Sequence, residues 1–212
     1  MILVVGGEKG GAGKSCIAQN LSVWLKREGH DVLLLDADPQ KTSYLWAQER
    51  LSNNQLIELP VEHATGDLRR LLQDRAKRYA AIVVDVGGAD SVTLRSAMTV
   101  ATHILFPLRP KRRDLKTLEN LEHLVSLTLP VNPDVIVRTV ISQAPTLPSQ
   151  ITRILDAKDA CTSFGLKALN AIVYNRNVYD DADESGSSVI ELGTDPKASD
   201  EIKQLATELW SI

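Results

Sequence analysis

Gly7-Glu8-Lys9-Gly10-Gly11-Ala12-Gly13-Lys14-Ser15 follows directly on an apolar run, Ile2 to Val5, at the start of this chain. A short buried strand, a glycine-rich turn and a helix in this order point a row of backbone N–H groups and a helix N-terminus toward one place. A polyphosphate fits there because both features attract negative charge. The stretch therefore predicts a nucleotide site.

Three residues of this loop, Gly13, Lys14 and Ser15, match the end of the general phosphate-loop pattern G-x-x-x-x-G-K-[ST]. In that pattern the lysine contacts the β- and γ-phosphates and the hydroxyl binds magnesium. Glu8 replaces the first glycine of the pattern. Lys9 adds a second lysine that phosphate binding within one subunit does not require, so it is either a solvated loop residue or has another function.

The segment from Lys9 to Ser15 resembles the deviant Walker A motif of the ParA/MinD family of P-loop ATPases. In that family a signature lysine reaches across an ATP-bound homodimer to the nucleotide of the other subunit, and Lys9 matches it. The resemblance implies ATP and Mg²⁺ as cofactors, with Lys9 and Lys14 among the catalytic residues. It also implies that one continuous set of residues binds the nucleotide: Gly10, Gly11, Ala12, Gly13, Lys14, Ser15 and Cys16.

Composition limits the remaining possibilities. The 212 residues, with 43% hydrophobic content and a net charge of −3, suffice for one well-filled domain, so we expect a single domain over residues 1–212. The two cysteines, Cys16 and Cys161, predict neither a disulfide framework nor a cysteine metal site, and favour a cytoplasmic protein. No run approaches the length of a membrane span, and the chain opens on a strand and a phosphate loop, so no signal peptide is expected.

Apolar runs rich in β-branched residues alternate with helical patterns, which is typical of βαβ units and a parallel sheet. We therefore expect a three-layer α/β/α fold with a mostly parallel twisted sheet, of the P-loop type that the resemblance implies. Strands are predicted at 2–5, 32–35, 56–59, 81–84, 103–107, 135–141 and 168–172, and helices at 15–28, 42–51, 66–78, 91–100, 114–127, 148–163 and 198–210. The stretch 181–196, rich in Gly, Ser, Asp and Thr, is predicted to be the most flexible.

Acidic residues follow two of the predicted strands, at the edge where open parallel sheets bind ligands. Asp36-Ala37-Asp38-Pro39-Gln40 resembles switch I of the family, which implies that Asp36 lies near the magnesium shell and that Asp38 positions the hydrolytic water. Asp85 ends its strand before two glycines, which is the Walker B arrangement at the start of switch II. Taken alone, each acidic segment could be an ordinary turn or helix cap. With the phosphate loop, they predict Ser15, Asp36 and Asp85 as the magnesium residues.

Basic residues cluster after strand 103–107, where five fall within eight positions: Arg109, Lys111, Arg112, Arg113 and Lys116. Such a cluster can bind DNA phosphates without reading sequence, or can be a solvated loop or face a partner subunit. Arg176, on a turn expected to be exposed, is a second candidate DNA contact. The resemblance also places Ser142 and Gln143 where the family contacts adenine.

Several functions share this family core, and the residues favour one of them. A nitrogenase-like iron–sulfur site needs cysteines after the switch strands, and neither cysteine is so placed. The predicted last helix carries one lysine against two glutamates over 201–210, which is poor for an anionic membrane surface. We therefore expect it to pack on the core, and we expect no membrane partner. The chain also opens at its first strand, as do small plasmid ParA proteins without an operator-binding helix-turn-helix domain.

The sequence thus favours a plasmid partition ATPase that acts on the nucleoid. The resemblance implies that ATP drives a sandwich dimer, that the dimer binds nonspecific DNA, and that a small centromere-binding adaptor stimulates an otherwise slow hydrolysis. Two alternatives stay open. The chain could position another cargo or division component, as MinD-like proteins do, or it could be a P-loop metabolic kinase or ligase, which usually lacks a lysine at the position of Lys9.

Overall fold

The computed structural model describes residues 1–88 and 91–210, and within them seven strands form one sheet. The strands are β1 (Ile2–Val5), β2 (Val32–Asp36), β3 (Val61–His63), β4 (Ala81–Asp85), β5 (His103–Leu108), β6 (Ile136–Ala144) and β7 (Ala168–Tyr174). Their order across the sheet is β3-β2-β4-β1-β5-β6-β7, and every neighbouring pair is parallel. All strands therefore end at the same edge, where ligands of open α/β sheets bind.

Helices connect the strands and cover both faces of the sheet. They are α1 (Lys14–Arg27), α2 (Thr42–Leu51), α3 (Arg69–Arg75), α4 (Val92–Met98), α5 (Arg112–Leu115), α6 (Leu118–Thr128), α7 (Ile151–Ser163), α8 (Asn177–Glu184), α9 (Val189–Leu192) and α10 (Pro196–Leu209). A short 3-10 turn over Pro148–Gln150 precedes α7. The α/β/α fold with a parallel sheet that the sequence predicts is confirmed.

The central strand β1 shows why the sheet is sandwiched between two helical layers. Its side chains alternate between two separate apolar cores: Leu3 and Val5 pack with α1, α2 and α8 to α10, whereas Ile2 and Val4 pack with α3, α4, α6 and α7. Both faces are apolar because both are covered, so the strand is a continuous apolar run in the sequence. Burial on both faces fixes the position at which β1 ends and the phosphate loop begins.

The predicted strand at 56–59 is wrong, and the third strand of the chain is β3, a few residues later. Pro60 has no N–H to donate, and its carbonyl accepts the N–H of Leu34 as the first contact with β2. Before Pro60, the carbonyl of Ile57 is bonded by the Arg50 guanidinium and not by a strand. The apolar residues in this stretch pack on the core without joining the sheet.

The prediction that 181–196 is the most flexible stretch is also wrong, because it contains the end of α8 and the whole of α9. Ser188 caps α9 in a reciprocal arrangement with Glu191, whose side chain bonds back to the Ser188 N–H. The Glu191 carboxylate also forms a buried two-point ion pair with Arg50 on α2, at 2.8 and 2.6 Å. Serine and glycine here serve as a helix cap and a close packing contact, not as a loose linker.

Two further predicted helices, at 114–127 and 198–210, can be compared with the structure. The single helix predicted at 114–127 is divided into α5 and α6, with a break at which the Thr117 hydroxyl bonds the Asp114 carbonyl at 2.7 Å. Helix α10 packs its apolar face on the sheet through Ile202, Leu205 and Leu209, as expected. Among the described residues, no helix combines the length and apolar character needed to cross a bilayer.

Candidate functional site

The phosphate loop lies between β1 and α1, at the carboxyl edge of the sheet. Gly11 and Gly13 have φ angles of 69° and 81°, in the left-handed region that glycine adopts without strain, and Gly13 is the N-cap of α1. Lys14, the first residue of the helix, folds back so that its Nζ donates to the Lys9 carbonyl at 2.7 Å. Burial lowers the pKa of Lys14, while the charges of Asp85 and Asp38 oppose that shift. The loop thus holds a buried amine that faces two carboxylates.

The predicted switch I aspartates both organise backbone at the end of β2. Asp36 is fully buried, and its two carboxylate oxygens accept the N–H groups of Asp38 and Tyr44 at 2.9 and 2.7 Å. Burial raises the pKa of Asp36 against the lowering effect of these two hydrogen bonds. Asp38 in turn accepts the N–H of Gln40 at 2.9 Å. Asp36 therefore joins the end of β2 to the first turn of α2. Asp38 lines a cavity that also borders the phosphate loop.

Asp85, at the end of β4, has one carboxylate oxygen bonded and one without a partner. Its Oδ2 accepts the Ser43 hydroxyl at 2.7 Å, and burial raises the pKa of Asp85 to about 6 against the lowering effect of the nearby Ser43 and Ser15 hydroxyls. Its Oδ1 is buried and makes no hydrogen bond to the described residues. A buried carboxylate oxygen of this kind calls for an external partner.

These residues fit a magnesium ion that a nucleotide brings with it. The unpartnered Asp85 oxygen suits a magnesium-bound water, and Ser15 lines the same pocket. Within the described residues, no group of three or more His, Cys, Asp or Glu side chains could hold a metal alone. Phosphate oxygens and water would therefore supply most ligands, as is usual for Mg²⁺ in nucleotide sites.

The glycines after Asp85 bring switch II against both the phosphate loop and switch I. A Cβ at Gly87 would lie 2.8 Å from the Asp38 carboxylate, and one at Gly88 would lie 3.0 Å from the Glu8 carbonyl and 3.1 Å from the Gly10 nitrogen. A side chain at Gly87 would require the Asp38 carboxylate to move, and one at Gly88 would press on the backbone of the phosphate loop. A movement of the backbone at Gly87 and Gly88 would therefore change the positions of Asp38 and of the phosphate loop.

A cavity of about 490 Å³ runs from the phosphate loop along the start of α1 to the end of β7. The predicted residues Gly10, Gly11, Gly13, Lys14, Ser15, Cys16, Asp38, Ser142 and Gln143 line it. Ala12 lies beneath the loop, where its carbonyl accepts the Ser142 hydroxyl at 2.5 Å. Ser142 thus holds the loop in place, and Gln143, with a φ of 47°, faces the cavity beside Gly13.

Several residues in and around this cavity were not assigned to a nucleotide site from the sequence. Ser43 has no motif of its own, although it lies seven residues after Asp36 on the helix that switch I begins. The far end of the cavity is formed by Tyr174, Asn175, Arg176 and Tyr179, with Asp180 and Asp183 on α8. Their position after an apolar strand is the signal that could have identified them, because every strand here ends at the ligand edge.

Comparison with known proteins agrees with this geometry. Residues 3–189 match the model of the CobQ/CobB/MinD/ParA nucleotide-binding domain. The chain belongs to the ParA/MinD family. It is 29% identical to the carboxysome distribution protein A of Halothiobacillus neapolitanus over 98% of this chain and 95% of that protein. It is 30% identical to a ParA protein of Rhizobium radiobacter, over 53% of this chain and half the length of that relative.

A solved member of the family shares the fold over its full length. The ATP complex of a McdA variant from Cyanothece has a TM-score of 0.76 and 14% identity, over all of this chain and 96% of that one. An identity this low supports the fold alone. The family match and this shared fold together show that the chain is a nucleotide-binding ATPase of the ParA/MinD type.

The signature lysine of the ParA/MinD loop is placed differently from Lys14. The Lys9 side chain is exposed, does not line the cavity and makes no side-chain hydrogen bond or ion pair to the described residues. Its carbonyl, in contrast, is fixed by the buried Lys14 amine. The backbone of Lys9 is thus part of the phosphate loop, while its exposed side chain does not line the cavity.

The candidate DNA residues fall into two groups. Lys111, Arg112 and Arg113 are exposed, together with Lys116. Arg109 instead forms a two-point ion pair with the buried Asp114, at 2.7 and 3.1 Å, and lies next to Gly11. Arg176 lies between the exposed residues Asn175 and Asn177, as expected, but its own side chain is only 20% exposed and is bonded to Glu201. The carboxylate that holds this side chain lies on α10, 25 positions further along the chain.

Proposed function

We propose that this protein is an ATP-driven positioning switch, in which two copies clasp two ATP molecules, the dimer binds DNA without reading its sequence, and hydrolysis returns the monomers. The observation that carries the proposal is the contrast between the two loop lysines. Lys14 is buried within its own site, whereas Lys9 is exposed beside that site. An amine so placed is available to a second subunit.

The residues of one protomer account for binding of the nucleotide. We assign Lys14 and the loop backbone to the phosphates, and Ser15, Asp36 and Asp85 to the magnesium site. When bound, Mg²⁺ would neutralise charge on the phosphates. Asp38 lies at the cavity wall against Gly87 and is assigned to orient the attacking water. The negative charge of the triphosphate favours the charged form of Lys14, against the lowering effect of burial on its pKa.

Dimerisation follows from electrostatics. Two triphosphates brought face to face repel one another, and one lysine donated to each from the opposite protomer offsets that repulsion. Loss of the γ-phosphate removes part of the charge that Lys9 neutralises, so the dimer weakens after hydrolysis. Hydrolysis is expected to stay slow until a partner protein completes the site, as in other switch NTPases.

The proposed DNA surface is the exposed cluster of Lys111, Arg112, Arg113 and Lys116. These side chains form no ion pair with a carboxylate of the described residues, and such cations suit phosphate contacts that carry no sequence information. Arg109 and Arg176 are already engaged by Asp114 and Glu201. They can join a DNA surface only if those ion pairs open.

The cargo has two candidates. The relative that matches over nearly its full length is named for carboxysome distribution, which favours a protein body as cargo. The ParA relative keeps plasmid partition, with a small centromere-binding adaptor, as the second candidate. Deletion of the gene from its host would decide between them: clustered protein bodies support the first cargo and plasmid loss the second. Unchanged bodies and unchanged plasmid inheritance would reject both.

Light scattering with a non-hydrolysable ATP analogue tests the dimer. The wild-type protein is expected to double in mass with the analogue and to stay monomeric with ADP. Lys9→Ala and Lys9→Gln should remain monomeric while still binding ADP. Lys77→Ala is the control, because Lys77 is an exposed lysine just before β4, at the opposite edge of the sheet. A Lys9→Ala dimer as stable as the wild type would refute the role in trans.

DNA binding measured with ATP, with ADP and without nucleotide tests the switch. Retention on DNA is expected with ATP alone. A metabolic kinase or ligase would show no nucleotide-dependent retention, so an equal response in all three states would exclude the proposed switch.

A further inference from the structure

The far wall of the nucleotide cavity is held together by a single carboxylate from the last helix. Glu201 lies on α10, and its side chain is 9% exposed. Its Oε1 accepts Nε of Arg176 at 2.7 Å. Its Oε2 accepts the backbone N–H of Tyr174 at 3.0 Å and the hydroxyl of Tyr179 at 3.1 Å. All three donors belong to residues that line the cavity.

These bonds fix the side chains that line the cavity after β7. The Arg176 guanidinium lies 5.6 Å from the centroid of the Tyr174 ring, and its NH1 group is 3.5 Å from Asp195. Burial and the charge of Glu201 raise the pKa of Tyr179, so the phenol stays protonated and remains a donor. The Asn175 amide, between them in sequence, lines the same wall and makes no side-chain hydrogen bond to the described residues.

The chemistry of this wall suits the base of a nucleotide. An aromatic ring and a guanidinium plane offer faces on which a flat heterocycle stacks. A free amide offers both donors and an acceptor to the edge of a base. The phosphate loop fixes the other end of the ligand, and the cavity of about 490 Å³ connects the two ends.

We propose that Glu201 is a positioning residue for base recognition: it holds Tyr174, Arg176 and Tyr179 in the arrangement that accepts the purine. This inference rests on the proposed binding of ATP and extends it to the residues that select the base. Glu201 does not touch the ligand. It acts through Arg176 and Tyr174, which is why its effect should depend on the base and not on the phosphates.

The chain provides a matched control on the same helix. Glu208 also lies on α10 and also bonds the backbone of β7, where its carboxylate accepts the N–H groups of Asn170 and Ala171, both at 2.7 Å. Both glutamates therefore anchor α10 to the edge strand of the sheet. Only Glu201 does so at the end that borders the cavity, so a purely structural role would affect both variants alike.

Calorimetric titration with Mg²⁺-ADP, Mg²⁺-GDP and Mg²⁺-pyrophosphate tests the inference, since ADP avoids the contribution of dimerisation. Glu201→Gln should raise the Kd for ADP at least tenfold and reduce the preference for ADP over GDP. Its Kd for pyrophosphate should stay within twofold of the wild-type value. Glu208→Gln should leave all three constants within twofold.

Two results would overturn the inference. One is an ADP affinity of Glu201→Gln within twofold of wild type, and the other is an equal loss for ADP and pyrophosphate. If Glu201→Gln does not fold, Arg176→Met removes the opposite partner and should show the same selective loss of ADP binding; equal losses would again reject it. A wild-type protein that binds neither ADP nor pyrophosphate would instead reject the proposed function, and the inference with it.

Discussion

The bond between Ser43 and Asp85 yields a prediction whose magnitude follows from burial and charge. Ser43 is fully buried, and its hydroxyl donates at 2.7 Å to the Asp85 carboxylate, whose pKa burial raises to about 6. Ser43→Ala removes that donor and adds no bulk. A hydrogen bond to a charged group contributes about 2 kcal/mol, and a bond to a neutral group contributes about 1 kcal/mol.

The cost of Ser43→Ala should therefore depend on pH. At pH 8 Asp85 is ionised, and the free energy of unfolding should fall by about 2 kcal/mol; at pH 5 Asp85 is mostly protonated, and the fall should be about 1 kcal/mol. The difference of about 1 kcal/mol equals a rise of about 0.7 units in the Asp85 pKa, to near 7. The Asp85 pKa is higher in the folded than in the unfolded chain, so its contribution to stability declines as pH rises between about 4 and 6. In the variant this decline should extend to about pH 7.

Urea denaturation followed by circular dichroism, without nucleotide or magnesium, would measure these values at both pH values. Ser22→Ala is the control, because Ser22 is also fully buried but its hydroxyl bonds the Ala18 carbonyl at 2.7 Å, away from any carboxylate. Ser22→Ala should lower the free energy of unfolding by the same amount at pH 5 and at pH 8. Equal costs for Ser43→Ala at the two pH values, or the same pH difference in Ser22→Ala, would refute the reasoning.

Three further variants test the switch, the DNA surface and the fold. Asp38→Ala should slow ATP hydrolysis at least tenfold and trap the ATP-bound dimer on DNA; loss of ATP binding in a filter assay would mean that its role is misassigned. Arg112→Glu combined with Arg113→Glu should reduce the slope of log affinity for DNA against log salt by about 2, since each phosphate contact contributes about 0.9. An unaltered slope would mean that DNA binds to another surface of the protein. Arg70→Glu is the control, because Arg70 is an exposed arginine on α3. Arg50→Met should cost about 3–5 kcal/mol in urea denaturation, because it leaves the buried Glu191 carboxylate unpaired; a loss under about 1 kcal/mol would contradict this.

The phosphate loop and the switch aspartates were predictable because their information is local. Gly13 needs a left-handed φ, Lys14 and Ser15 follow it directly, and Asp36 and Asp85 each end an apolar run. The strand pattern gave the parallel sheet for the same reason, since a strand buried on both faces is a continuous apolar stretch. In a parallel sheet these strand ends share one edge, so the sequence alone predicts that the loop and the aspartates lie together.

The errors came where a long-range contact overrides a local pattern. The stretch 181–196 has the composition of a loop, but Arg50 bonds Glu191 from 141 positions away and stabilises a helix there. The stretch 56–59 has the composition of a strand, but Pro60 and the same arginine prevent it from pairing. Local propensity is a weak prior beside such contacts.

By itself, the sequence determined the class of fold, the loop that receives phosphate and the acidic residues at the strand ends, because each depends on neighbours a few positions apart. The tertiary structure alone decided that Ser43 bonds Asp85 over 42 positions and that Glu201 bonds Arg176 over 25. No repeat or spacing encodes these pairs. They form because packing of α2 and α10 on the sheet buries each carboxylate, and a buried carboxylate must find a donor wherever the chain has brought one.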